Sequence, residues 1–355
     1  MANMQAFIAS LEDHWGIKDY PHAIGCQHHI PIYDGDQLRQ LNTYQQSEIQ
    51  TEWINCWQHG AGVFIVRKLF EDTSAVDAAT RVFYDLMREQ NKAEHALADH
   101  FAPKGANTRV WNCLEKMAVN DAKTFINYYK NPVFAQICEA WLGPDYQITS
   151  QVNLVHPGGK AQQPHRDYHL GFTDDDEVKR YPLHVAHVDM PVASGSTMLL
   201  PYSQRYEYGY GLYRNPDFKA YFQEHSVQLS LNKGDAMFFN PALMHGAGSN
   251  VSKDVQRLAN LFQISSAFGK AMEAVDQQRM QLACYEQLQK ETLNEQELAA
   301  IATALSDSYP FSSNMDRDMP GQNLKPLSGK DVLLLALKEN WTKAKLAKEL
   351  DQLRW

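Results

Sequence analysis

The sequence predicts a mainly β core held between helical flanks. Three observations carry this expectation. Roughly the first 150 residues space their apolar side chains three and four apart, residues 147–266 break into short apolar runs separated by turn residues, and helical spacing returns after Gly269. The i, i+3, i+4 spacing puts apolar groups on one face of a helix, whereas short runs bounded by Gly, Pro, Asn and Ser suit strands. Several short strands in close succession form a barrel or a sandwich.

Taken along the chain, residues 37–59 and 74–98 carry helical spacing, and Gly62-Val-Phe-Ile-Val66 between them reads as a strand. Pro132 suits the first turn of a helix, where its missing N–H is not needed, and Gly143-Pro144 stops that helix. The expected core strands are 147–155, 164–169, 183–190, 197–200, 226–232, 235–240 and 256–265, with turns at His156-Pro-Gly-Gly159, Ser194-Gly-Ser196 and Asn232-Lys-Gly-Asp235. Thr292-Leu-Asn-Glu295 and Thr342 look like helix starts. Residues 307–329, rich in Ser, Asn, Asp, Pro and Gly, form a long surface loop. No linker separates these regions. The expectation is one domain, with a helical part over about 1–146, a β core over about 147–268 and a helical extension over about 269–355.

Composition narrows the function. Acidic residues number 42 against 33 basic, a net charge of −9, so no basic surplus exists to neutralise a phosphate backbone and nucleic acid is not the expected partner. The longest apolar run, Val332 to Leu337, falls far short of the ~20 residues a bilayer needs. The N-terminal MANMQAFIASLEDHWG lacks the basic and apolar regions of a signal peptide. Five scattered cysteines form no Cys-x-x-Cys pair, which argues against a disulfide framework or zinc cluster and suits reduced thiols in the cytoplasm.

The 14 histidines direct the search for a metal site. On a strand, residues i and i+2 share a face, so His-x-Asp can aim an imidazole and a carboxylate at one ion. A second histidine completes the two-His, one-carboxylate face of non-haem Fe(II) oxygenases, which leaves positions open opposite. The pattern alone is weak: chance predicts about 1.7 His-x-acid pairs in this composition, and the chain holds two, His165-Arg-Asp167 and His187-Val-Asp189. Context favours the first. It follows the turn-rich HPGGKAQQP and so starts a strand at a rim, while the second lies inside the alternating PLHVAHVDMP. Downstream, His245 is followed by Gly246 and Gly248, which would leave room for a bulky group, and Arg257 opens a new strand. A strand-borne arginine binds a carboxylate through two parallel hydrogen bonds, as the far end of 2-oxoglutarate requires.

At these residues the sequence resembles the phytanoyl-CoA dioxygenase family of Fe(II)- and 2-oxoglutarate-dependent oxygenases. The resemblance is carried by HRD at 165–167, HVDMPVASGSTMLLPYSQR at 187–205 and GDAMFFNPALMHGAGSNVSKDVQR at 234–257, in that order. It implies a double-stranded β-helix, the cupin-like jelly roll, with N-terminal and C-terminal helices. It implies that His165, Asp167 and His245 bind iron, that Arg257 binds the distal carboxylate of 2-oxoglutarate, and that Asn153 occupies a polar position contacting the co-substrate. His187 and Asp189 fall on a core strand. The cofactor set is Fe(II), 2-oxoglutarate and O2, with succinate and CO2 released and a small molecule hydroxylated. Retention of Asp167 argues against a halogenase. Tyr202 and Gln204 stand where the family has Gly and His, and Ala247 stands where members often carry a hydroxyl residue.

Two segments stay open. Tyr202, Tyr206, Tyr208, Tyr210 and Tyr213, with Arg205 and Arg214, form either a substrate lid or a packed insertion, and Asp174-Asp-Asp-Glu177 reads as a solvated loop. The identity of the substrate and the oligomeric state have no signature in the sequence.

Overall fold

The computed structural model describes residues 3–12, 15–92, 107–167, 180–206, 214–314, 316 and 325–353. The N-terminal part runs α1 (Met4–Ser10), β1 (Gly25–Gln27), β2 (Ile30–Asp34), α2 (Gly35–Leu38), α3 (Thr43–Gln58), β3 (Val63–Arg67), α4 (Ser74–Lys92), β4 (Asn107–Val110), α5 (Cys113–Asn120), α6 (Ala122–Tyr129) and α7 (Pro132–Leu142). The middle holds β5 (Gln147–Val155), β6 (Arg180–Ala186), β7 (Thr197–Leu199), α8 (Pro216–His225), β8 (Ala236–Phe239), β9 (His245–Ala247) and β10 (Arg257–Ser265). Four helices follow: α9 (Gln277–Leu288), α10 (Glu295–Leu305), α11 (Gly329–Lys338) and α12 (Lys343–Asp351).

The strands form an eight-stranded sheet in the order β1-β2-β3-β8-β6-β10-β5-β4 and a two-stranded sheet, β7-β9. Single bridges extend the small sheet from His245 to His165 and from Leu199 to Val227. Followed along the chain, β5 lies in the large sheet, His165 in the small one, β6 in the large one, β7 and Val227 in the small one, β8 in the large one, β9 in the small one and β10 in the large one. This alternation is the winding of a double-stranded β-helix. Its large-sheet quartet is β8-β6-β10-β5, which β3, β2 and β1 extend on one side and β4 on the other.

The period of two along β5 and β10 sorts their residues by face. Ile148, Val152 and Leu154, with Leu258, Phe262 and Ile264, join the large apolar cluster built with the helices, which also holds Trp53, Trp57, Phe125 and Tyr285. Each large apolar side chain fully buried there contributes about 1.5–3 kcal/mol. The opposite face, toward the small sheet, carries Gln151 and Asn153 from β5 and Arg257, Ala259, Leu261 and Gln263 from β10, paired in register as Asn153 with Ala259 and Gln151 with Leu261. A second apolar cluster, with Leu199, Met237, Phe239, Leu243 and Ala259, fills the space between the sheets. The inward face is thus apolar toward β8 and polar along β5 and β10, and the polar part houses the site.

Several boundaries differ from the sequence expectation, each for a local reason. The N-terminal part holds more strand than expected: beside β3, which matches the strand expected at 62–66, β1, β2 and β4 join the large sheet. The helix expected over 37–59 is two helices, because Asp34 caps α2 and Asn42 restarts the chain with a capping box closed by Gln45. Asn294, not Thr292, caps α10, in a box with Glu297, while Thr342 caps α12 as expected. The strand expected over 226–232 pairs only through single bridges at Val227 and Leu231, and 183–190 begins earlier and ends at Ala186. Residues 93–98 of the second expected helix, and 168–169 of the strand at His165, lie outside the described residues. No helix among the described residues is long and apolar enough to cross a membrane.

Candidate metal centre

His165, Asp167 and His245 offer ligand atoms that all lie within 4.8 Å of one another. Backbone pairing creates this convergence: His165 and His245 exchange N–H···O bonds of 2.8 and 2.9 Å, and Asp167 N–H donates to Pro241 O at 3.1 Å. The imidazole rings sit 4.4 Å apart between centroids, and Phe239 packs edge-on against His245. In both histidines Nδ1 faces a carbonyl two residues earlier, Gln163 O at 2.9 Å and Leu243 O at 2.8 Å. A backbone carbonyl can only accept, so each Nδ1 carries the proton and each Nε2 lone pair is free for a metal. His245 Nε2 lies 3.8 Å from Asp167 Oδ1. Burial pushes the His245 pKa down to about 4, helped by His165 and opposed by Asp167, which keeps the imidazole neutral and able to ligate.

Arg257 is buried at the start of β10. Its Nη1 donates to Gly195 O, and its Nε has no partner among the described residues. Gly195 has φ +82°, and a Cβ there would come within 2.4 Å of Gly248 O, so the turn that receives the guanidinium requires glycine. Burial, and then the neighbouring cation Arg109, lower the Arg257 pKa to about 10, which leaves it charged at neutral pH. Asn153 is buried on β5, and its Oδ1 has no partner among the described residues. A buried cation that bonds only a neutral carbonyl among the described contacts favours an anion as its ligand.

The family model for phytanoyl-CoA dioxygenase matches residues 49–259, more than half of the chain and a span that includes every residue of this site. The chain belongs to the phytanoyl-CoA dioxygenase family. A dioxygenase designated aneA from Aspergillus aculeatus is 25% identical over 181 residues, 48% of this chain and 57% of that relative. Among solved structures, the α-ketoglutarate-dependent carbocyclase SnoK of nogalamycin biosynthesis is 15% identical, with 65% of this chain and 86% of that one covered at a TM-score of 0.48. AviO1 from Streptomyces viridochromogenes Tue57 is 15% identical, with coverage of 62% and 97% and the same TM-score.

The phytanoyl-CoA dioxygenase family uses Fe(II), 2-oxoglutarate and O2. The residues present fit that set. Two imidazoles and a carboxylate are the donors that suit iron while leaving positions open. The buried guanidinium suits a carboxylate approaching from the far side.

The other His-x-Asp pair does not join the centre. His187 is buried between Thr80 Oγ1, 2.8 Å from Nδ1, and Tyr128 Oη, 2.7 Å from Nε2, and burial lowers its pKa to about 3. Asp189 accepts from the Lys233 N–H at 2.9 Å. Of the glycines after His245, Gly248 serves packing, since a Cβ there would run into Gln228 and Ser196, whereas a Cβ on Gly246 would make only ordinary contacts, 3.4 Å or more from the backbone of Gln162 and Gln163. Tyr202 and Tyr206 are buried against the N-terminus, where their hydroxyls accept from Trp15 N–H at 2.8 Å and Asn3 N–H at 2.9 Å, so this part of the tyrosine segment is packed insertion. Tyr208, Tyr210 and Tyr213, and the acidic run 174–177, lie outside the described residues.

Sequence reasoning missed four groups around the site. Arg166, between His165 and Asp167, is buried and donates to Tyr206 O at 3.0 Å and to Ser203 O, which anchors this pair from behind. Arg109 on β4 donates to Gln151 Oε1 at 3.0 Å, and Gln151 Nε2 lies 3.3 Å from Met272 Sδ. Gln263 touches Asp167. For Gln151 and Gln263 a signal existed, since each shares strand parity with a predicted site residue, Asn153 or Arg257.

Proposed function

We propose that this protein is an Fe(II)- and 2-oxoglutarate-dependent dioxygenase that hydroxylates a C–H bond of a small molecule. The observation that carries the reading is the pairing of the His165–Asp167–His245 cluster of the small sheet with the buried cation of Arg257 on the face of the large sheet turned toward it. In this reading His165 Nε2, Asp167 Oδ1 and His245 Nε2 hold the iron, Arg257 takes the distal carboxylate of 2-oxoglutarate, and Asn153 adds a polar contact. With O2, the bound iron and co-substrate supply the oxidation, in which 2-oxoglutarate leaves as succinate and CO2. The chain's own residues orient the reactants: the Nδ1 contacts fix both imidazoles, Arg257 sets the direction of the co-substrate, and the apolar cluster between the sheets excludes water.

An iron oxygenase that works without 2-oxoglutarate would have no use for Arg257, so that residue separates the two readings. Succinate release in the presence of Fe(II), 2-oxoglutarate and a metabolite library tests them. The proposal expects substrate-stimulated succinate that Arg257→Ala abolishes, and undiminished oxidation by that variant without 2-oxoglutarate would overturn it. The acidic balance of the chain supports a small-molecule substrate over a nucleic acid. The five cysteines are unpaired, four of them buried, which suits the cytoplasm. We read the chain as one domain because a single apolar cluster includes residues from Tyr20 to Leu350.

A further inference from the structure

We propose that Gln263 is the positioning residue that holds Asp167 as a one-oxygen metal ligand. The inference rests on the iron-site reading above. Each histidine has an orienting group on the ring atom turned away from the metal position, a carbonyl two residues earlier in the chain. Asp167 has the corresponding contact from across the fold: Gln263 Nε2 donates to Oδ2 at 3.3 Å, while Oδ1 is the oxygen that faces His245 Nε2. The two carboxylate oxygens are thereby given different tasks.

Gln263 is well placed for this role. It sits in β10, paired on one side with Thr149 of β5 and on the other with Pro182 of β6, so its backbone is held by central strands of the large sheet. It lies on the same face as Arg257, six residues along the strand, which makes β10 a single ruler joining the co-substrate end of the site to the metal end. Its Oε1 is buried with no partner among the described residues, so the carboxylate is the contact that sets the direction of the amide. A neutral donor also leaves the full carboxylate charge for the metal, which a lysine or arginine at this position would share. A carboxylate free to rotate could bind through both oxygens and occupy a position that the co-substrate and oxygen need. Holding Oδ2 prevents this, and outer partners of metal ligands typically change affinity 10–100-fold.

The test uses the full chain with Co(II) as the probe, read by its visible absorption with and without 2-oxoglutarate, alongside the Tm of the metal-free protein. Gln263→Met keeps the length and loses the donor. Gln263→Glu keeps the shape and adds a repelling carboxylate. The proposal expects Co(II) binding weakened roughly 10–100-fold in both, an altered absorption band in Gln263→Met, and little change in the metal-free Tm. Wild-type affinity and an unchanged band in a folded Gln263→Met protein would overturn it while leaving the iron site intact, provided Asp167→Ala loses the metal. A wild-type chain that binds no Co(II) would overturn both readings together. Should Gln263→Met not fold, Gln263→Glu at wild-type affinity overturns the proposal equally.

Discussion

Two parts of this molecule carry the same three-residue pattern and use it in opposite ways. His165-Arg-Asp167 lies where the small sheet begins, and its imidazole and carboxylate converge with His245. His187-Val-Asp189 follows β6, where its imidazole closes a hydrogen-bonded chain between Thr80 of α4 and Tyr128 of α6, and Asp189 faces the Lys233 turn. The difference lies in Nε2. In His165 and His245 a backbone acceptor takes Nδ1 and Nε2 is left for a ligand, whereas in His187 a tyrosine hydroxyl occupies Nε2. A His-x-Asp is therefore a metal half-site only when the fold satisfies one ring nitrogen and spares the other.

The comparison breaks most sharply at the ligands. Asp167→Ala is expected to lower Fe(II) affinity at least about a thousand-fold, equivalent to roughly 4 kcal/mol, and to leave the metal-free Tm near wild type; equilibrium dialysis and calorimetry check the two halves. His187→Ala should do the reverse. It takes the shorter of two hydrogen bonds from the buried Tyr128 hydroxyl, leaving only Asn260 Nδ2 at 3.5 Å, removes the Thr80 contact and opens a cavity, at a stability loss of roughly 3 kcal/mol in chemical denaturation, with metal affinity in the folded protein unchanged. Arg257→Met should raise the KM for 2-oxoglutarate about 100-fold, or about 2.7 kcal/mol, and leave metal binding alone.

The pH dependence sharpens the contrast further. Burial holds the His187 pKa at about 3 in the folded state against the ordinary histidine value of 6.5. Between those values the unfolded chain takes up a proton that the folded chain refuses. Stability therefore falls as pH drops through that window, with a slope of up to about 1.4 kcal/mol per pH unit from this residue. His187→Gln should flatten that part of the denaturation profile. The smallest effect belongs to Asp189→Asn, which retains an acceptor for the Lys233 N–H and should shift stability by less than about 0.5 kcal/mol.

Much of this was legible in the residues. The extent of β5 and β10 follows from their alternation and bounding turns, and the order of HRD, the Ser194-Gly195 turn, His245 and Arg257 carries the family resemblance. What escaped was decided across strands. β1 has three residues and β4 has four, too few for a periodic signal, and they become strands because sheet edges receive them. Asn42 divides the helix expected over 37–59 and Asn294 displaces the start expected at Thr292, because each side chain reaches the third backbone N–H. Gly248 looked like space for a ligand, yet its clearance is taken by Gln228 and by the backbone of Ser196. Gln263 had strand parity with Arg257 as a signal, but Arg109 has meaning only once β4 is laid beside β5.

The central claim is that one of the two matching pairs, and not the other, is the iron site. Anaerobic Fe(II) binding measured in parallel on the wild type, Asp167→Ala and Asp189→Asn tests it most directly. The account predicts a single Fe(II) bound by the wild type and by Asp189→Asn with equal affinity, and binding all but lost in Asp167→Ala. Undiminished binding by Asp167→Ala, or binding lost in Asp189→Asn, would contradict it.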